Sequence, residues 1–238
     1  MGFERSNGSM SEIDVVKELA RETLVIPTQA AYLDNFLWDR AKRLVRNVEH
    51  ICQVPELGMT GTTIDRFCLT AATYFSDAGI AVRLKTNQAG MLSASDNNGD
   101  GVLDFSAQIV EEKLGEHIDG LRVRNISRVI TESGNHFSKM PEAMILSDAR
   151  NLDDMGTVGI FSEFRRYVVG GKSVSDLLPA WEKKIDYRYW QARLEKSFRF
   201  ESVRKLAEQR LNTAEYFMNQ LKIENNANDI AELLAGKL

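Results

Sequence analysis

Cysteine, histidine and proline are scarce in this chain of 238 residues, which contains two, three and four of them. The histidines, His50, His117 and His136, do not form a metal-spacing pair with one another or with a cysteine, so no zinc motif can be drawn. Cys52 and Cys68 each fall within an amphipathic pattern, which favours buried reduced thiols over a disulfide. With so little proline and no Gly/Ser-rich spacer, the sequence predicts a single domain.

Long apolar runs and a dominant charge are also missing. No uninterrupted apolar segment reaches the roughly 18 residues of a membrane span, and residues 1–11 lack the apolar core of a signal peptide. We therefore expect a cytoplasmic location and no membrane partner. The 30 basic residues are mixed with 34 acidic ones, for a net charge of −4, and this pattern is not the basic footprint of a nucleic-acid-binding protein. The serine elbow, the phosphate-binding glycine loop and the dinucleotide fingerprint are absent as well.

Apolar residues recur at helical spacing along most of the chain, without the alternation that is typical of strands. The fold class predicted is therefore all-α. Ser11 and Asp14 resemble a capping box that opens a first helix. A second helix is expected from Thr28 to about residue 53, and a third is expected to end at Gly79.

Three segments follow from this pattern. Residues 1–27 form an N-terminal extension with the first helix, residues 28–222 form the helical domain, and residues 223–238 form an amphipathic tail. The tail carries an apolar face from Ile230 to Leu234, which favours docking on its own core or on a partner, and allows a homo-oligomer.

An acidic segment rich in asparagine and glycine precedes the helix that starts near residue 105. Its oxygen-bearing side chains at the first, third, fifth and ninth positions of a calcium loop are Asp96, Asn98, Asp100 and Asp104. Gly101 falls at the sixth position, where such loops turn sharply, but Ala107 occupies the twelfth in place of a bidentate acid. Two interpretations stay open: a calcium site, and a surface turn that caps the following helix.

A helix is predicted to start at Pro141, and Asp148 and Leu152 share one of its faces. A carboxylate with such apolar neighbours is expected to be buried, where an unpaired charge is costly. Asp148 therefore needs a partner. Within the third helix, Asp77 is a second acidic residue near the end of an apolar pattern.

Two motifs carry a resemblance to a known family. Residues 71–79 read AATYFSDAG, and residues 142–156 read EAMILSDARNLDDMG, continued by TVGIF. These resemble the HD-domain superfamily of metal-dependent phosphohydrolases, which has an aliphatic run, His-Asp and a glycine at the first place, and an Asp-Ala-Asp-x-Leu-Asp run at the second. The resemblance extends from Tyr32 to Leu221 and implies an HD-domain-like helical bundle.

The resemblance also implies a ligand set. Such enzymes hold one or two divalent metals with a histidine on an early helix, a His-Asp pair and a later aspartate, and the metal activates water. The two aspartates match Asp77 and Asp148, whereas Leu37 and Ser76 stand where the histidines are expected. Some relatives have further histidines before the last aspartate, and His136 lies close to the matching positions in the sequence but out of phase with them. An aliphatic side chain cannot coordinate a metal and a serine hydroxyl is a weak ligand, so half of the set is missing.

The sequence thus supports two main hypotheses. In the first, the chain has lost phosphohydrolase activity and acts as a binding or regulatory module for a small phosphorylated ligand or a protein. In the second, it is an active phosphohydrolase on a phosphomonoester or nucleotide-type substrate, with a transition metal or Mg²⁺ held by Asp77, Asp148 and His136. A coincidental likeness is the third. The cations considered as partners of the two aspartates are Arg40, Arg124, Arg128 and Arg150.

Overall fold

A computed structural model of the chain describes residues 10–28, 32–59, 61, 63–86 and 101–236. In these residues helices dominate and the strands belong to one short hairpin, which confirms the all-α fold class. The elements in chain order are α1 Glu12–Leu24, β1 Ile26–Pro27, β2 Leu33–Asp34, α2 Phe36–Ile51, α3 Pro55–Gly58, α4 Arg66–Phe75, α5 Ala78–Lys85, α6 Val102–Leu114, α7 Gly120–Ser133, α8 Pro141–Asp153, α9 Gly156–Val169, α10 Val174–Asp186, α11 Tyr189–Ser197, α12 Glu201–Asn225 and α13 Asn228–Leu234. Among the helices described here, none is long and apolar enough to cross a membrane.

Within this helical chain, backbone contacts separate two compact units. Unit 1 comprises Met1–Gln53 and Gly61–Leu146, and unit 2 comprises Val54–Thr60 and Ser147–Leu238. The division between them falls inside α8. The segment boundaries expected at residues 27 and 222 stay a prediction.

The first helix of unit 1 begins where its capping box predicts. The Ser11 hydroxyl accepts a hydrogen bond from the backbone N–H of Asp14 at 3.3 Å and donates one to the Asp14 carboxylate at 2.5 Å. The predicted start of α2 at Thr28 is wrong, because the chain first forms the antiparallel pairing of β1 with β2. The N–H of Thr28 donates to the carbonyl of Tyr32 at 3.0 Å, so α2 begins only at Phe36.

Gly79 does not terminate the third predicted helix, as the sequence suggested. The helix α4 already ends at Phe75, and Gly79 lies buried in the first turn of α5. Its N–H donates to the Ser106 hydroxyl at 2.9 Å. A Cβ at this position would approach the carbonyl oxygen of Val102 to 2.7 Å, so the glycine lets α5 pack closely on α6.

In unit 2, α9 packs along α12, and α10 and α11 complete the helical layer around them. The rings of Trp181 and Trp190 lie 5.3 Å apart and are almost fully buried, so this aromatic region packs a core. Tyr187 and Tyr189 remain exposed. The helix α10 continues through Pro179, and its N-terminus carries a capping box formed by Ser173 and Asp176.

Candidate functional site

Asp77 lies at the N-cap of α5 and is only 1% exposed. Its carboxylate accepts a hydrogen bond from a guanidinium N–H of Arg40, on α2, and forms an ion pair with it. Among the four arginines considered from the sequence, Arg40 therefore contacts this aspartate. The pair is buried in unit 1, where each charge depends on the other because water is excluded.

The two residues that stand in place of the expected histidines are both buried and contribute to the packing of their helices. Leu37 is 6% exposed and lies on the buried face of α2, together with Ala41 and Leu44. Ser76 is 1% exposed, and its hydroxyl donates a hydrogen bond to the carbonyl of Thr73 at 3.0 Å, in the last turn of α4. Leu37 offers no lone pair, and the Ser76 hydroxyl proton is already bound to its own helix.

Asp148 lies in the C-terminal half of α8 and is completely buried. Its Oδ1 accepts the backbone N–H of Arg199 at 2.8 Å, and its Oδ2 accepts the N–H of Phe200 at 3.1 Å. These amides directly precede α12, so the carboxylate lies near the positive end of that helix dipole. The partner that Asp148 was expected to need is thus supplied by backbone.

Burial raises the pKa of Asp148 to about 7. The hydrogen bonds from Arg199 and Phe200 and the charge of Arg199 act in the opposite direction, and the charge of Glu56 adds to the increase. The charge of Arg199 thus acts on Asp148, although this residue was not among the four arginines considered from the sequence.

A second carboxylate supports the start of α12. Glu56, on the short helix α3, accepts the backbone N–H of Ser202 at 2.9 Å and its hydroxyl at 3.0 Å. These hydrogen bonds are the main cause of the lowered pKa of Glu56. Together with Asp148, this residue satisfies N–H groups that a helix leaves unpaired at its N-terminus. Sequence reasoning missed this arrangement, because both carboxylates come from distant helices.

A partly buried polar network lies at the end of α8. The guanidinium of Arg193 donates to the Asn151 side-chain oxygen at 3.0 and 3.2 Å and to the Asp154 carboxylate at 2.7 Å. Desolvation is the largest effect on the pKa of Arg193 and lowers it, but the charges of Asp154 and Tyr189 and the hydrogen bonds to them together outweigh it, so the net shift is upward. The Asn151 amide donates to the carbonyl of Ser197 at 3.0 Å, which ties α8 to the end of α11.

His136, the remaining predicted ligand, lies at the surface of unit 1. It is exposed in the turn after α7, with its ring 5.5 Å from that of Phe137. In the part of the chain that the structure describes, no three His, Cys, Asp or Glu side chains are grouped so as to hold a metal ion. Leu37, Ser76 and the Arg40-bound Asp77 therefore do not fit the ligand set that the resemblance implies.

Most of the proposed calcium loop, including Asp96, Asn98 and Asp100, lies outside the described residues, and the calcium site stays a prediction. Gly101 has φ of +86° and forms the N-cap of α6. Asp104 lies in the first turn of that helix, where a carboxylate is stabilised by the helix dipole.

Neither a protein-family model nor a curated protein matches this sequence. Several solved structures resemble its fold. A predicted HD superfamily hydrolase from an uncultured Thermotogales bacterium superposes with a TM-score of 0.52 at 17% identity, over 94% of this chain and 99% of that chain. Bacillus subtilis YpgQ in complex with ADP gives a TM-score of 0.57 at 18% identity, and selenomethionine YpgQ gives 0.54 at 14% identity. Both comparisons cover 90% of this chain and 97% of the other.

The chain has the HD-domain fold. This confirms the fold that the two sequence motifs implied. At these levels of identity the likeness concerns the fold, and function has to be argued from the residues themselves.

Proposed function

We propose that this HD-domain-like protein has lost metal-dependent phosphohydrolase activity and acts as a binding or regulatory module. The proposal rests on the contacts of the residues that stand where the family has its metal ligands. Leu37 is core, the Ser76 hydroxyl is bound to its own helix, and Asp77 is paired with Arg40. A divalent metal needs several lone-pair donors, and these residues supply too few of them.

The charge of Arg40 supports the same conclusion. A metal ion at Asp77 would lie beside a guanidinium that is buried with it, and two cations in a medium of low dielectric constant repel each other strongly. Displacing Arg40 instead would leave its charge buried without this carboxylate, which is also costly. Both routes oppose metal binding at Asp77.

A small phosphorylated molecule is the ligand class that we propose. The YpgQ structure was obtained in complex with ADP, which supports a nucleoside diphosphate as the first probe. A protein partner is the second candidate, because Ile230, Leu233 and Leu234 expose their apolar side chains on α13. Self-association through this helix is one form that such an interaction takes.

Metal analysis tests the loss of activity. Protein purified without added metal is expected to contain far less than one Mn, Fe, Ni or Mg per chain, and to leave p-nitrophenyl phosphate and ADP intact when these metals are added. Near-stoichiometric metal that disappears in Asp77→Ala, or hydrolysis that disappears in Asp77→Ala and Asp148→Asn, would instead support the active phosphohydrolase.

A restoration experiment tests the assignment of the two lost histidines. In an Arg40→Met background, which removes the opposing charge, the variant Leu37→His, Ser76→His is expected to bind a divalent metal, whereas Leu37→His combined with Ser76→Ala keeps one ligand fewer and is expected to bind it more weakly. Circular dichroism verifies that both variants fold. Equal and negligible metal content in the two folded variants would show that positions 37 and 76 do not correspond to the family's histidines.

Binding of ADP is measured by isothermal titration calorimetry without metal. We expect saturable binding by the wild-type chain. If ADP and inorganic phosphate both fail to bind, while the chain self-associates or captures a protein through α13, the proposal of a phosphorylated ligand is wrong and the protein-binding form is favoured.

A further inference from the structure

A groove lies between α10 and α12 in unit 2. It has a volume of about 370 Å³ and is lined by Leu178, Trp181, Glu182, Ile185, Asp186, Met218, Asn219 and Lys222. At roughly 30 Å³ per water molecule, this volume corresponds to about a dozen waters, and it falls within the range of small-molecule sites. The groove contains neither Asp77 nor Asp148, so it is separate from the positions discussed above.

The groove has an apolar floor and a charged rim. Leu178, Trp181 and Met218 on the floor are at most 7% exposed. On the rim, the Lys222 ammonium pairs with the Glu182 carboxylate at 2.5 Å, and both side chains are about half exposed. Since Lys222 neutralises Glu182, the carboxylate of Asp186 gives the rim a net negative charge.

The position of Asp186 is unfavourable for the stability of α10. Asp186 is the last residue of this helix, where the helix dipole is negative and a carboxylate is unfavourable. In the part of the chain that the structure describes, no cation is paired with Asp186. A bound cation would offset this unfavourable interaction with the helix dipole.

We propose that this groove binds a small organic cation, a primary amine attached to an apolar ring or chain. The apolar part packs on Trp181 and Met218, and the ammonium group lies between Asp186 and the carbonyl end of α10. Such a ligand matches both the floor and the rim of the groove. A purely apolar ligand would leave the charge of Asp186 uncompensated, and a bare cation would leave the apolar floor in contact with water.

The probe is phenethylamine, and two analogues serve as ligand controls. 2-Phenylethanol has the same ring without the charge, and 3-phenylpropionate has the opposite charge. Each is titrated into ¹⁵N-labelled protein while the three tryptophan indole N–H cross-peaks are observed, with the Trp181 peak assigned through Trp181→Phe. Trp38 belongs to unit 1 and serves as the internal reference.

We expect the Trp181 peak to shift saturably with phenethylamine, with a dissociation constant of about 1 mM, as is usual for a ligand of this size. The Trp38 peak is expected to stay in place. Asp186→Asn should weaken binding about fivefold, which corresponds to one exposed charge pair. Glu195→Gln removes an exposed acid of the same unit that does not line the groove, and should leave the affinity unchanged.

Three outcomes would overturn the proposal. The first is a Trp181 peak that does not move at 20-fold the expected dissociation constant. The second is equal binding of 2-phenylethanol, which would make the groove an apolar site without charge selectivity. The third is an equal loss of affinity in Asp186→Asn and Glu195→Gln, which would attribute the effect to net charge. All three leave the metal-content test of the proposed function unaffected.

Discussion

The buried pair of Arg40 with Asp77 makes a quantitative prediction about stability. Asp77 is 1% exposed and Arg40 is 8% exposed. Removing either partner leaves the other charge buried without it, which typically costs about 3 to 5 kcal/mol. We therefore expect Arg40→Met and Asp77→Asn each to lower the free energy of unfolding by about that amount, or Tm by about 10 °C for a chain of this size.

The double variant shows whether Arg40 and Asp77 stabilise the fold as an ion pair or through two independent interactions. If the ion pair is the main reason for both effects, Arg40→Met with Asp77→Asn should be little worse than either single variant, so the coupling energy should be about 3 kcal/mol. Urea unfolding is followed by the fluorescence of Trp38, which is buried and stacked on Tyr74 in unit 1. Replacing Trp181 and Trp190 by Phe in all variants leaves Trp38 as the only tryptophan.

The same unit offers a matched control. Arg122 forms an ion pair with Glu12, but both side chains are about half exposed. Exposed pairs of this kind contribute at most about 1 kcal/mol, so the cycle of Arg122→Met with Glu12→Gln should give a small coupling energy. Equal coupling energies for the two pairs would refute the assignment of Arg40 as the cation that neutralises Asp77.

Two further predictions concern α8 and α5. Burial raises the pKa of Asp148 to about 7, above the value of about 3.9 in an unfolded chain, so the folded state binds the proton more tightly. The stability that this proton contributes is fully present below about pH 4 and is lost as the pH rises through about 7. The difference in Tm between wild type and Asp148→Asn should therefore fall from pH 4 to pH 8, and parallel curves would contradict the raised pKa. Gly79→Ala should destabilise the chain by about 1 to 3 kcal/mol, because its Cβ would lie 2.7 Å from the Val102 carbonyl oxygen. Gly58→Ala, with open space around its Cβ, is the control, and equal unfolding midpoints for the two variants would show that α5 does not pack on α6 as closely as described.

The sequence predicted what depends on local patterns. Ser11 and Asp14 located the start of α1, because a capping box is complete within four residues. The later start of α2 escaped prediction, since the pairing of Ile26 with Asp34 uses backbone groups that leave no mark on apolar periodicity. Gly79 was assigned to a helix end because glycine is common there, whereas its real constraint is the distance to a helix that starts 23 residues later.

The partners of the two aspartates likewise depend on distant contacts that the sequence does not reveal. Burial of Asp148 followed from its apolar neighbours, but its hydrogen bonds come from the N–H groups of Arg199 and Phe200. Every residue except proline carries such a group, so no residue type points to it. Arg40 was recognisable as a candidate for Asp77, but choosing it among four arginines required the packing of α2 against α4.

These contacts change the interpretation of the two aspartates as metal ligands. An aspartate that matches a metal ligand suggests catalysis only if its structure needs a metal to balance the charge. Asp77 has the Arg40 guanidinium, and Asp148 has two backbone N–H groups at the start of α12, which offset part of the cost of burying its charge. Each carboxylate therefore has a structural role within its own unit that accounts for its presence without a metal. Loss of stability in Asp77→Asn and Asp148→Asn is expected on this ground alone, so only metal content and hydrolysis, measured on folded protein, separate a lost active site from a working one.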